Sequence, residues 1–338
     1  MWKTMRHRTY EIRMRGRSND EARDAKRTSQ TSIEPQPEPN MRSRRILRTV
    51  SPPIQIGMVL LGLWGCSLMN ADQDVPRYLI VPDIEYTPGE DQGTASTNVT
   101  DLWVYSATDV VGVFPLPAIV PILPADAAGS PVTLLAGIRE NGISNSRAPY
   151  PFYTTVDHFV DGTAGSRDTL LPEIGLVDNV RLIAVEDFEN SNVFANMAGG
   201  AGLVRTDLEG EVFEGGHSGR IDVDTDNPLI RVRTVEQEFD LTSGLPVFLE
   251  LDYRCDQSFA VGLYGFRNGQ ETKHLALVVN PTESAGQAAT WNKLYVDLGA
   301  VVMAQGAADH FEVYVECILE AERTAGSVGL DNVRIVTY

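Results

Sequence analysis

The sequence predicts an all-β chain built as two β-sandwich domains behind a basic leader. Three observations carry this. Apolar residues beyond position 66 alternate or fall in short runs instead of recurring at helical spacing, clusters of Gly, Pro, Asn and Asp separate those runs, and charge divides the chain in two. At 338 residues the chain exceeds the ~100–200 of a typical domain, so two folded units are expected. With 43% apolar and 22% charged residues it can build a large core, and three cysteines are too few for a disulfide scaffold.

Residues 1–65 hold 13 Lys/Arg against 6 Asp/Glu, whereas residues 66–338 hold 15 against 40. An acidic body of that size repels phosphate backbones, so no nucleic-acid partner is expected. Residues 1–40 read as a disordered basic extension ending in the Pro-rich stretch Ile33–Pro39. Met41 then opens a segment with Arg42, Arg44, Arg45 and Arg48, followed by an uncharged run from Ile54 to Gly65. Twelve residues rise only ~18 Å as a helix against a hydrocarbon core of ~30 Å, which suits a removable signal better than a permanent span. Either translation starts at Met41, giving a signal peptide over 41–65, or a long leader is removed whole; the first is preferred.

The run closes Leu63-Trp64-Gly65-Cys66. This resembles the lipobox of bacterial lipoproteins, in which an aliphatic residue, a variable one and a small one precede the cysteine that receives lipid. Gly65 and Cys66 match, and Trp64 departs from the pattern. The resemblance implies cleavage before Cys66, lipidation of that cysteine, and a home in the bacterial cell envelope, anchored to a membrane, with the outer membrane favoured. Residues 66–75 form the tether.

The first sandwich is expected over 76–181, with strands at Tyr78–Val81, Asn98–Tyr105, Val110–Phe114, Val132–Ile138 and Phe152–Phe159. Its size is that of an immunoglobulin-like or transthyretin-like domain. A polar loop, Glu140–Pro151, carries Asn141-Gly142 and ends near Tyr150, Phe152 and Tyr153; it is either a contact surface for a partner or a decorated surface loop. The second domain is expected over 182–338. In Val247–Cys255, residues Val247, Leu249, Leu251, Tyr253 and Cys255 alternate with Phe248, Glu250, Asp252 and Arg254. Phe311–Leu319 repeats this, with Glu312, Tyr314 and Glu316 on the second face. Both predict strands with one buried and one solvated face.

Asp187-Phe188-Glu189 at the start of this domain, His217-Ser218-Gly219-Arg220-Ile221, Trp291-Asn292-Lys293 and the closing Asp331-Asn332-Val333 together resemble jelly-roll carbohydrate-binding modules and galactose-binding-like domains. That resemblance covers roughly residues 183–338 and implies a jelly roll. It also implies a structural calcium held by Glu189 and Asp331; otherwise Asp331 and Asn332 cap the turn into the last strand. No cofactor is required. A glycan would need aromatic faces flanked by hydroxyl-reading side chains. Tyr264, Phe266, Arg267, Asn268 and Gln270 form one such cluster, Trp291 with Tyr295 a second, and each aromatic has core packing as its alternative. Cys255 and Cys317 share the apolar side of their strands and form a candidate disulfide; as free thiols they would pack as small hydrophobes.

No enzyme is expected. His158, His217, His274 and His310 form no H-E-x-x-H pattern, Arg220 replaces the last glycine of G-x-S-x-G, and Ala198–Gly202 opens no helix. Asp222–Asn227 departs from an EF-hand at its sixth place, Asn227, and at its twelfth, Arg233. The expectation is therefore a membrane-anchored protein that binds a glycan or other extracellular ligand through its jelly roll. The alternative is a structural or adhesion component of an envelope protein assembly.

Overall fold

The structure, a computed structural model, describes residues 74–107, 109–123, 129–235, 237–284 and 287–338. The basic leader, the expected signal peptide over 41–65 and Cys66 lie outside them. The all-β expectation holds: the described residues form 21 strands and one short helix.

The first strands in chain order are β1 (Arg77–Val81), β2 (Glu85–Tyr86), β3 (Asp101–Ser106), β4 (Asp109–Pro115) and β5 (Ala118–Ile122). They continue with β6 (Ser130–Arg139), β7 (Arg147–Pro149), β8 (Val156–Val160), β9 (Arg167–Thr169) and β10 (Glu173–Ile174). These make a sheet ordered β5-β1-β9, a pair β10-β2, and a sheet β4-β3-β6-β7 in which β8 also pairs with β6. Leu79, Val81, Leu102, Val104, Val120, Leu134 and Ile138 form their shared core. The chain from Phe152 to Thr154 is a turn, and the strand expected there starts only at Val156.

The second set is β11 (Arg181–Glu186), β12 (Phe194–Ala198), β13 (Leu203–Thr206), β14 (Ser218–Asp224), β15 (Leu229–Thr234) and β16 (Val247–Cys255). Then come β17 (Phe259–Arg267), β18 (Gln270–Val279), β19 (Asn292–Asp297), helix α1 (Gly299–Ala304), β20 (His310–Ile318) and β21 (Ala325–Thr337). They build a jelly roll of two antiparallel sheets. One runs β13-β14-β21-β16-β19 with β11 also on β21, and the other runs β12-β15-β20-β17-β18. Val247, Leu249 and Leu251 from the first meet Val261, Leu263, Val313 and Val315 from the second in one core.

The solvated second faces expected for β16 and β20 are not solvated. All of Val247–Tyr253 is buried, because residues of the first strand set lie on the outer face of the six-stranded sheet. Phe248, Tyr295 and Val336 on that face pack with Tyr150, Phe152 and Tyr153, so the aromatics that end the Glu140–Pro151 loop are core and not a surface decoration. Tyr150 meets Phe248 and Tyr295 at ring-centroid distances of 5.2 and 4.9 Å. The Asn141-Gly142 turn caps the β19 edge: Asn141 N–H donates to Tyr295 O at 2.8 Å and its Oδ1 accepts from Asp297 N–H at 3.0 Å. On β20, Glu312, Tyr314 and Glu316 lie beneath the side chains of Arg231, Arg233 and Lys273, as detailed below.

Candidate functional site

Strand register creates the buried polar cluster on the outer face of the six-stranded sheet. Glu250 stands opposite Arg334 on one side and Tyr295 on the other, and Asp252 stands opposite Asp331 and Lys293. Glu250 is fully buried. Its Oε2 accepts from Arg334 Nε and Nη2 at 2.9 and 2.7 Å, and its Oε1 accepts from Tyr150 Oη at 2.5 Å. Burial works to raise the Glu250 carboxyl, but Lys293, Arg334 and the tyrosine hydroxyl outweigh it and hold it below the ordinary Glu value.

Two residues further along, Asp252 forms the floor of a cleft of about 490 Å³. Phe213, Glu214, Trp291, Asn292 and Lys293 line it on the jelly-roll side, and Thr94, Ser96, Thr97 and Asn98 line it from the segment before β3. That volume lies within the ~300–1,000 Å³ of small-molecule sites. Trp291 and Phe213 are partly exposed and stand 5.4 Å apart between ring centroids. Gly329 makes room for the indole, since a Cβ there would come within 3.1 Å of Trp291 Cη2.

The Lys293 side chain is 1% exposed and lies 3.4 Å from Glu250 Oε2 and 3.6 Å from Asp252 Oδ2. These are ion pairs. Its Nζ is buried and makes no hydrogen bond among the described residues, although an ammonium carries three donors. Trp291 Nε1 is likewise buried without a partner among the described residues. Burial lifts the Asp252 carboxyl above the ordinary Asp value, against the pull of Lys293, Ser96 and Asn332.

The other expected ligand residues are elsewhere. Tyr264 and Phe266 lie on the outer face of the five-stranded sheet, away from Trp291's sheet. Tyr264 is 8% exposed and Arg233 lies 4.6 Å above its ring centre, so its face is already covered. Phe266 is half-buried and stacks on His310 at 4.4 Å. Arg267, the last residue of β17, and Asn268, on the two-residue turn into β18, are exposed, and Asn268 takes a positive φ of 51°. The rest of this face is a lattice of ion pairs: Arg233 with Glu312 at 2.7 Å and Glu271 at 2.6 Å, Lys273 with Glu316 at 2.8 Å, and Arg231 with Glu316. Tyr295, the expected companion of Trp291, is buried between the strand sets and donates to or accepts from Tyr153 Oη at 3.0 Å.

Glu189 and Asp331 reach the same loop, Asp331 on either side of the two residues that Glu189 holds. Glu189 Oε1 accepts from the N–H groups of Gly216 and His217 at 2.9 and 3.1 Å; Asp331 Oδ2 accepts from Ser218 Oγ at 2.6 Å and from Glu214 N–H at 3.3 Å. The carbonyls of Phe188 and Glu189 each accept from Arg205 at 2.6 Å. Among the described residues no group of three or more His, Cys, Asp or Glu could hold a metal ion. Cys255 and Cys317 are buried free thiols instead of a disulfide; burial pushes them up to about 12 and about 11, and Cys317 Sγ accepts from Gln257 Nε2.

Of the residues lining this cleft, the sequence singled out Trp291 as a ligand residue and named Asn292 and Lys293 only as part of a motif, while Phe213, Asp252 and the strap from Thr94 to Asn98 carried no such signal. Asn98 had read as the start of a strand. Its amide instead donates to Asn292 Oδ1 at 2.9 Å and Lys293 O at 3.0 Å, and β3 begins three residues later. The only local signal was the run of small polar residues in 94–98.

No protein-family model matches the chain, and no curated protein matches it. Solved structures similar to it are carbohydrate-binding modules of the β-sandwich type. A mutant family 29 module complexed with cellulohexaose is 11% identical with a TM-score of 0.31, covering 47% of this chain and 93% of that one. A module from the β-sandwich superfamily, described for its promiscuous specificity, is 11% identical with a TM-score of 0.32, covering 69% and 83%. A family 28 module specific for non-crystalline cellulose is 14% identical with a TM-score of 0.34, covering 45% and 93%.

Proposed function

We propose that this chain is an extracytoplasmic binding protein, not an enzyme, and that it takes a glycan into the cleft between Trp291, Phe213 and Asp252. One observation carries the reading: two partly exposed aromatic rings wall an open cleft whose floor pairs a carboxylate with an ammonium that has no hydrogen-bond partner. A sugar ring presents C–H faces that pack on aromatic rings, and hydroxyls that each donate and accept. One hydroxyl can accept from Lys293 and donate to Asp252, while Asn98 and Asn292 offer further amide groups at the rim.

The same reading holds the protein on a bacterial membrane, favouring the outer one, through lipid on Cys66; the basic segment from Met41 and the apolar run to Gly65 support it.

The test is binding to a glycan array, followed by titration calorimetry on any hit, with Trp291→Ala beside the parent chain. Stacking on an aromatic ring is worth ~1–3 kcal/mol by analogy with bases, so Trp291→Ala should weaken binding about 5- to 150-fold. Phe266→Ala, on the other sheet, should leave it unchanged. A folded chain that binds nothing on the array would sink the proposal. Edge strand β4 exposes Val110 at 57% and Val111 at 36%, which favours the second reading, an assembly component, and a stable protein partner held through β4 would support that instead.

A further inference from the structure

The strap from Asp91 to Thr100 belongs to the first strand set by sequence, yet it is pegged onto the jelly roll. Arg334 Nη1 donates to Gln92 O at 2.8 Å, Ser96 Oγ donates to Asp252 Oδ1 at 2.6 Å, and Asn98 N–H donates to Tyr295 Oη at 3.1 Å. Thr94, Ser96, Thr97 and Asn98 then form one wall of the cleft. Of these contacts, the one from Ser96 goes to the carboxylate on the cleft floor.

Asp252 is fully buried and has two donors, Ser96 on Oδ1 and Asn332 Nδ2 on Oδ2 at 3.1 Å. The Asn332 amide is shared, since it also donates to Glu214 Oε2 at 3.0 Å. Without Ser96, Oδ1 has no donor of its own among the described residues. The carboxylate would then be free to turn about its last torsion, between Lys293 on β19, Asp331 on β21 and Asn332, and its geometry toward the cleft would no longer be fixed.

We propose that Ser96 is a positioning residue of the binding site: its hydroxyl locks Asp252 so that Oδ2 stays beside Lys293 Nζ, and the first strand set thereby supplies part of the ligand recognition of the jelly roll. This rests on the glycan reading of the cleft. The lock defines a slot for one ligand hydroxyl between a fixed acceptor and an ammonium donor 3.6 Å apart. A ligand lacking a hydroxyl at that place leaves the Lys293 ammonium without a hydrogen-bond acceptor, which makes the slot a selector among sugars that differ at one carbon.

The experiment is a double-mutant cycle in affinity, on the full chain, using the tightest neutral oligosaccharide from the array as probe. The variants are Ser96→Ala, Asp252→Asn and the pair, with Ser96→Thr as the conservative control. Ser96→Ala should weaken binding about tenfold, and the double variant should be no weaker than Asp252→Asn alone, because Ser96 acts only through that carboxylate. Ser96→Thr, which keeps the hydroxyl, should restore most of the affinity. Losses that multiply in the double variant, or a Ser96→Thr as weak as Ser96→Ala, would overturn the proposal. So would an unchanged affinity in Ser96→Ala while Trp291→Ala loses binding; that pattern leaves the glycan reading standing. A parent chain that binds no oligosaccharide overturns both together.

Discussion

Replacing Glu250 with Gln keeps the size of the side chain and removes one charge from the sealed end of the polar cluster. Arg334 and Lys293, 6% and 4% exposed, would then lose the carboxylate they share, with Asp252 at 3.6 Å still beside Lys293. Removing one partner of a buried ion pair costs about 3–5 kcal/mol, because the other charge stays buried without compensation. That is a large part of the roughly 5–15 kcal/mol by which folded proteins are stable. The assay is urea unfolding followed by far-UV circular dichroism and tryptophan fluorescence, comparing midpoints at unchanged slope. The effect also has a pH signature. Glu250 is held below the ordinary Glu value, so its contribution is complete above the unfolded value of ~4.3 and is lost as pH falls through the folded one. The deficit of Glu250→Gln at pH 7 should therefore shrink in acid. Glu250→Leu combined with Arg334→Met, which removes both charges, should be much less destabilised than Glu250→Gln. A loss below about 1 kcal/mol for Glu250→Gln would mean that the charges are hydrated, and would refute the sealed cluster.

Burial lifts Asp331 to about 6, with Asp252 adding to the rise and donors from Ser218, Asn332 and Glu214 opposing it. A folded value about two units above the ~3.9 of an unfolded Asp means that the native state binds the extra proton, so stability should fall by about 2 kcal/mol as pH rises from 4 to 7. The difference in unfolding free energy between the parent chain and Asp331→Asn should follow that fall, and a difference flat across this range would refute it. At the other end of the chain, intact mass of protein from a bacterial membrane fraction should show an acylated species beginning at Cys66, absent from Cys66→Ser. An uncleaved mass shared by both would remove the anchor.

The parts of this fold that were legible in the sequence are those decided within a strand. Alternation in Val247–Cys255 located β16 to the residue and put Val247, Leu249 and Leu251 in the core. The same alternation misled on the opposite face, because what covers that face is not written nearby: Tyr150 lies 100 positions from Glu250, and Gln92 lies 242 from Arg334. A charged residue at every second place looks like a solvated face until its cover is known. The cleft was hidden for the same reason. Trp291 could be picked out by type, but Phe213 sits in a loop with no pattern, and Ser96 has meaning only once it is seen across from Asp252. Conversely, Tyr264 and Phe266 looked like a platform because no sequence rule says that Arg233, on another strand, covers one ring and approaches the other to 5.4 Å.

On the proposed reading the outward row of β16 serves both stability and binding. Phe248, Glu250 and Asp252 point the same way at successive pleats, and their neighbours change in step. Phe248 lies among Tyr150 and Phe152, where water is excluded and only apolar contact stabilises. At Glu250 the aromatic cover persists through the Tyr150 hydroxyl, so a charge is tolerated there only with Arg334 matched to it. At Asp252 the aromatic cover has ended, and the strap, with its serine and asparagine, replaces it on one side while the cleft opens on the other. The carboxylate there has an ammonium beside it that lies too far away to donate, which is an incomplete pair by the standard of its neighbour two residues back. A buried charge pair left incomplete beside open space costs stability, and a ligand hydroxyl set between Asp252 and Lys293 would recover it. On the proposed reading stability is concentrated at Glu250 and recognition at Asp252, two residues apart on one strand, so Glu250→Gln should act chiefly on unfolding and Asp252→Asn chiefly on affinity.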